Sequence, residues 1–222
     1  SSKLSALGAV ELGRVSVALN AIAVTIDASQ LVQVSSMPGV VHVRPVKNYE
    51  LHLSETVPYV GGTAVQNMGF DGTGVTVAVL DSGIDFMHKN LGGTGVVADY
   101  DTCYAQSAVA PSGICANYFG PTAPKVIGGY DFVGEGWPNT GRTEDPNPIA
   151  LKGTGTHGTH VADIIAGKSA NGTHKGMAPG AKLIAVKVCS AVSSSCNGVA
   201  LLSGVDFALD PNGDHDLSDA AD

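Results

Sequence analysis

The chain has 222 residues, of which 44% are hydrophobic and only 14% charged. That is enough for one core, or for a small domain plus part of a larger one, and too apolar for a disordered chain. Lys and Arg number 12 against 20 Asp and Glu, a formal net charge of -8, which argues against a nucleic-acid or anionic-membrane partner because both need a basic face.

No run is long and apolar enough to span a bilayer; Val15 to Ile26 comes nearest and is interrupted by Asn20. The chain begins at Ser1 without an initiator Met or a signal peptide, so it reads as a processed or partial chain.

The first stretch, to about Pro58, reads as a small β-α-β piece. Val15 to Ile26 is rich in β-branched residues and predicts a strand. Asp27 to Gln30 resembles a helix-start box, with Asp27 as the cap and a short helix running through Val34. Met37-Pro38-Gly39 breaks that helix, and Val40 to Val43 predicts a second strand. A polar connector, Asn48 to Pro58, has the make-up of a boundary, and the pattern changes from Gly61.

Thr63 to Met68 predicts one or two helical turns and Gly69 to Gly74 a turn. Val75 to Leu80 is a continuous apolar run, as in a strand buried on both faces of a parallel sheet. Residues 86 to 155 are rich in Gly, Pro, Asn and Asp and read as a long loop excursion. His157 to Ala166 predicts a helix, Lys182 to Val188 a second buried strand, and Gly198 to Leu209 a further helix closed by Pro211. This alternation is that of a parallel α/β sheet.

The four cysteines are Cys103, Cys115, Cys189 and Cys196, which allow three pairings. The sequence-local pairs 103–115 and 189–196 are the simplest, since each brackets a Gly/Ser/Pro-rich loop; four free thiols are the alternative. No CxxC pair has zinc spacing.

Two segments carry chemistry. Asp81 stands at the end of the apolar run, where open parallel sheets gather their catalytic groups, although an Asp there can equally cap a turn. His157 opens a helix beside Gly158; a histidine there can move protons near neutral pH, and the helix's positive end favours the neutral base. Glycine at 158 allows backbone or substrate to approach closely. A metal site of His157, His160 and Asp163 is a further reading, because these residues fall on one side of a helix.

Together the segments resemble the subtilase family of serine proteases. Val77 to Gly83 (VAVLDSG) is similar to its aspartate signature, and His157 to Ala162 (HGTHVA) with Ile164 to Gly167 is similar to its histidine signature. Gly176 to Leu183 and Ala185 to Val188 look like the turn and strand that follow. The order Asp before His, with Ser expected later, is that of subtilisin. The resemblance implies a secreted serine endopeptidase acting on polypeptides, with Asp81 orienting His157 and His157 serving as general base and then acid. His160 is read as structural.

It implies further features. The fold expected is a partial subtilisin-like parallel sheet with flanking helices over residues 61–222, preceded by a partial α+β propeptide-like domain over residues 1–55. Such a propeptide is an intramolecular inhibitor and folding aid. The loop Ser190 to Asn197 corresponds to a substrate-binding edge, with Ser194, Ser195 and Cys196 best placed in it. No serine signature is present, nor the asparagine of an oxyanion hole, so the chain is read as truncated and inactive by itself. Thr156 stands where the family usually has Gly or Asn-Gly before the histidine, and Asp163 where it usually has Gly. These departures fit, as alternatives, a non-catalytic binding or inhibitory relative.

No cofactor is required for this chemistry. Asp210, Asn212, Asp214 and Asp216 alternate oxygen ligands in the manner of a structural calcium loop. His215 takes the place of the usual glycine, and Ala221 that of the bidentate glutamate; a solvated acidic loop is the alternative.

Overall fold

The computed structural model describes residues 2–15, 21–45, 53–153, 156–193 and 195–222. The chain divides into two units, Ser1–Leu51 and His52–Asp222.

The first unit begins with helix α1 (Ser2–Ser5), then strands β1 (Val10–Val15) and β2 (Ala21–Thr25), which pair antiparallel. Asp27 caps a 3-10 turn by accepting from the Ser29 amide at 2.8 Å, and helix α2 (Leu31–Ser35) follows. The order is therefore α-β-β-α and not the β-α-β expected. The second strand expected at Val40–Val43 is not formed: those residues have no ladder partner among the described residues, and Val41 is exposed. The apolar run at 15–26 also divides differently from the single strand expected, because β1 starts earlier, at Val10, where adjacent Leu12 and Gly13 break the alternation at a register shift in the ladder, and β2 takes only Ala21–Thr25.

The second unit opens with helices α3 (Leu53–Tyr59) and α4 (Gly62–Asn67) and is built on a three-stranded parallel sheet. Strand β3 (Thr76–Asp81) pairs with β5 (Lys182–Lys187), and β5 pairs on its other side with β4 (Val126–Asp131). Helices α5 (Val97–Tyr104), α6 (His157–Ala166) and α7 (Gly198–Leu209) complete the unit.

The sheet is covered on both faces, and the two-residue strand period decides which side chain goes where. Val79, Leu183 and Ala185 join one cluster with Ala162 and Ala166 of α6. Ala78, Leu80, Ile184 and Val186 join the other with Ala200 and Phe207 of α7. Central strand β5 is almost wholly buried, whereas β3, at the sheet's edge, is mostly half-buried.

Two elements inside the expected loop excursion were not anticipated. Strand β4 reads Val-Ile-Gly-Gly-Tyr-Asp, and its paired glycines dilute the β-branched signal; pairing with β5 makes it a strand. Helix α5 is short and weakly amphipathic, and it is tied down by the Cys103–Cys115 bridge.

Candidate active site

Asp81 is the last residue of β3 and His157 the first of α6, so one sheet–helix contact sets their separation. His157 Nδ1 lies 2.8 Å from Asp81 Oδ1 and 2.9 Å from Oδ2. A carboxylate only accepts, so Nδ1 carries the proton and Nε2 is left as the basic nitrogen. The Asp81 side chain is 15% exposed and that of His157 75% exposed, which leaves the working edge of the imidazole open.

Three contacts hold the pair. Asp81 Oδ1 accepts the Ser82 amide at 2.7 Å, and the Ser82 hydroxyl oxygen accepts the Gly158 amide at 3.1 Å. The Asp85 amide donates to Thr159 Oγ1 at 2.9 Å. Burial raises the Asp85 carboxyl, which accepts the Met87 amide. Gly158 lies against backbone and not against substrate space: a Cβ there would overlap Gly83 O and stand 3.1 Å from Asp81 Cβ.

Next to this pair is a buried charge cluster. Lys187, opposite Asp81 in the ladder, is fully buried and pairs with Asp131 at 2.9 Å and with Glu135. Asp131 Oδ1 accepts the Val133 and Gly134 amides at 2.8 and 2.7 Å, and the Tyr104 hydroxyl donates to Glu135 at 2.8 Å. A lone buried lysine would be costly, and two carboxylates compensate it.

A cleft of about 450 Å³ is lined by Asp81, Ser82, His157, Cys189, Ser190, Val192, Ser193 and Cys196. Of the expected substrate-edge residues, Cys196 lines it; Ser195 bonds Ser193 through their hydroxyls at 2.7 Å, and Ser194 lies outside the described residues. Sequence reasoning named the loop Ser190 to Asn197 but did not single out Ser190, Val192 and Ser193 within it, and it did not name Ser82. Adjacency to Asp81 was a signal for Ser82, while the others depend on how their loop folds back. Cys103 bonds Cys115, and Cys189 bonds Cys196.

The metal reading of the α6 residues is not supported by their placement. Asp163 faces a different set of partners from His157: His174 Nε2 is 2.9 Å from its Oδ2, at ion-pair distance though without hydrogen-bond alignment, and Asn90 Nδ2 donates to its Oδ1 at 3.1 Å. Its carboxylate is thus compensated within the half-buried flank of the helix. His160 is exposed. Among the described residues, no group of three or more His, Cys, Asp or Glu is arranged to hold a metal ion.

In the acidic loop, Asp210 accepts the Gly213, Asp214 and His215 amides at 2.8, 3.1 and 3.0 Å. Asn212 accepts the Asp214 amide at 2.9 Å, Asp214 that of Asp216 at 2.8 Å, and Asp216 that of Ser218 at 3.0 Å. His215 takes a φ of 66°.

The family model of the subtilase family matches residues 72–216, a stretch that includes both members of the Asp81–His157 pair. The chain belongs to the subtilase family. This subtilase chain is 29% identical over 163 residues to minor extracellular protease Vpr of Bacillus subtilis, covering 73% of the chain and 16% of that protein. It is 27% identical over 201 residues to subtilisin E of the same species, covering 88% of the chain and 40% of subtilisin E. Subtilisin-like protease SBT4.10 of Arabidopsis thaliana is 28% identical over 204 residues, or 86% of the chain and 26% of that protein. The chain therefore spans well under half the length of these relatives. Among the described residues no helix is long and apolar enough to cross a membrane.

Proposed function

We propose that this subtilase chain carries the aspartate–histidine half of the catalytic apparatus of a secreted serine endopeptidase of subtilisin type, acting on polypeptides. The observation that carries the reading is the His157–Asp81 bond through Nδ1, with the rest of the imidazole open to a cleft. A serine hydroxyl presented to Nε2 gives up its proton as its oxygen attacks a peptide carbonyl. Nε2 then returns the proton to the leaving amine, an acyl-enzyme forms, and a water deprotonated by the same nitrogen releases it. Asp81 holds the tautomer and stabilises the imidazolium.

The nucleophile is assigned to polypeptide outside these 222 residues, because the hydroxyls of the cleft serines are engaged elsewhere. The Ser190 hydroxyl donates to Trp137 O at 2.7 Å and accepts two amides, Ser82 receives the Gly158 amide, and Ser193 pairs with Ser195 through their hydroxyls at 2.7 Å. The 222-residue chain is accordingly inactive by itself on this reading. Labelling by a fluorophosphonate tests it: the chain alone should stay unlabelled, and a longer polypeptide carrying a serine segment should be labelled in a His157-dependent way. Peptide hydrolysis by the chain alone, blocked by the same reagent, would overturn the assignment.

Residues 1–55 belong to the proposal as an intramolecular propeptide. The alignment with subtilisin E covers more of the chain than the second unit contains, so it reaches into the first. Hydrolysis by the longer polypeptide before and after removal of residues 1–55 tests this; equal rates would remove the inhibitory role. Calcium at Asp210, Asn212, Asp214 and Asp216 is the remaining part of the proposal; the alternation of oxygen-bearing side chains in the sequence supports it, while in the structure these side chains accept amides of their own loop and are not grouped to hold an ion. A calcium titration followed by thermal unfolding checks it, and an unmoved midpoint would remove it.

A further inference from the structure

The two disulfides of the second unit occupy opposite environments. Cys103 and Cys115 are both fully buried in the core. Cys196 is exposed, Cys189 is half-buried, and both line the cleft that holds Asp81 and His157.

The rim bridge is wired to the reactive pair. The Val188 and Cys189 amides donate to the Asp81 carbonyl at 2.9 and 3.1 Å, so the loop departs directly from the catalytic aspartate's backbone. It closes through Ser190 N to Ser195 O at 2.9 Å and Asn197 N to Val188 O at 3.0 Å. Asn197 then caps α7 by accepting the Val199 and Ala200 amides, each at 3.0 Å. Inside the loop the Ser190 hydroxyl accepts the Val192 and Ser193 amides at 3.0 and 2.9 Å. That turns Val192 and Ser193, both exposed, toward the cleft beside His157.

We propose that Cys189–Cys196 is a thiol-addressable clamp that orders the substrate-facing edge of this cleft, so that opening the bridge weakens peptide binding. The proposal rests on the protease reading above. The reductant is a low-molecular-weight thiol or dithiol. Its thiolate attacks the sulfur of Cys196, the S–S bond breaks, and Cys189 leaves as a thiolate, giving a mixed disulfide. A second thiolate displaces Cys196; two electrons have then passed to the protein, the reductant departs as its disulfide, and the two cysteine thiolates take protons from water. The buried 103–115 bridge offers no such approach and resists the same reagent.

The backbone bonds at the loop's ends survive this exchange, and the Asp81–His157 bond does not pass through the sulfurs. Opening therefore raises the cost of ordering the edge on substrate binding while leaving the chemical step alone. KM rises about three- to tenfold, with kcat within about twofold.

The test uses the longer polypeptide with its serine segment, graded dithiothreitol, and alkylation followed by mass spectrometry. Cys189 and Cys196 should be alkylated at markedly lower reductant than Cys103 and Cys115, the rise in KM should track that alkylation, and reoxidation should reverse it. The double variant Cys189→Ser, Cys196→Ser should show the raised KM with no response to thiol. An unchanged KM once the rim pair is fully alkylated, or earlier opening of the buried bridge, overturns the clamp and leaves the protease reading intact. Absence of hydrolysis by the oxidised polypeptide strikes the protease reading, and with it the clamp's role. The alkylation order, read on the 222-residue chain alone, separately decides whether the bridge is thiol-addressable.

Discussion

Replacing Gly158 with alanine tests how the Asp81–His157 distance is set. The added Cβ would overlap Gly83 O and sit 3.1 Å from Asp81 Cβ and 3.2 Å from Asp81 Oδ1. These are backbone and short side-chain atoms at a strand end, with little room to yield. To restore ordinary contact the start of α6 must retreat by roughly 1 Å. That would lengthen the 2.8 Å His157–Asp81 bond past useful hydrogen-bond range and weaken the 3.1 Å Ser82–Gly158 bond. Overpacking of this kind costs about 1–3 kcal/mol of stability. A misplacement near 1 Å costs on the order of 10²-fold in kcat. Urea denaturation of the 222-residue chain measures the first effect, and loss of a low-field Nδ1 proton resonance from His157 reports the second. Turnover by the longer polypeptide completes the comparison. A variant with wild-type stability, a retained resonance and kcat within about threefold would refute the claim that this glycine sets the spacing.

Asp81→Asn should leave the fold intact but let the imidazole adopt the wrong tautomer, lowering kcat in the longer polypeptide by about 10³–10⁴-fold; an undiminished kcat would detach Asp81 from the chemistry. His174→Ala removes the imidazole that faces half-buried Asp163 and should cost about 1–2 kcal/mol in urea denaturation, with Asp163→Gly in the same background recovering most of it. The Asp145 carboxyl is pushed up to about 6 by burial, so between about pH 4 and 6 the unfolded chain gives up its proton before the folded chain does. Its contribution to stability therefore falls as pH rises through that window and stays low above it. Asp145→Asn should gain on the wild type from pH 4 to 6 and hold that gain at pH 7, and a difference independent of pH would refute the assignment.

The reactive pair was legible in the sequence because each member belongs to a local pattern. Asp81 ends a β-branched apolar run and His157 begins a helix whose bounds the sequence marks closely. Neither segment by itself distinguishes a catalytic group from a turn or helix cap. Their joint resemblance to two family signatures pointed to the subtilase family, and the family match agrees on that family. The helices at His157–Ala166 and Gly198–Leu209 were legible for the same local reason.

What lay beyond the sequence involves partners distant along the chain. Asp163 stands where the family usually has Gly, and only folding brings its carboxylate to His174 and Asn90. Strand β4 exists because β5 offers a ladder to a segment whose glycines carry little strand preference of their own. Ser82 reaches the Gly158 amide across 76 residues, and the 189–196 loop meets Asp81 across more than a hundred. Side-chain period and turn chemistry act over a few residues, so sequence determined the candidate groups and the elements on which they stand. Hydrogen bonding and close packing act between whichever surfaces the fold brings together, so only the tertiary structure decided the spacing of the pair, the compensation of its neighbours and the walls of its cleft.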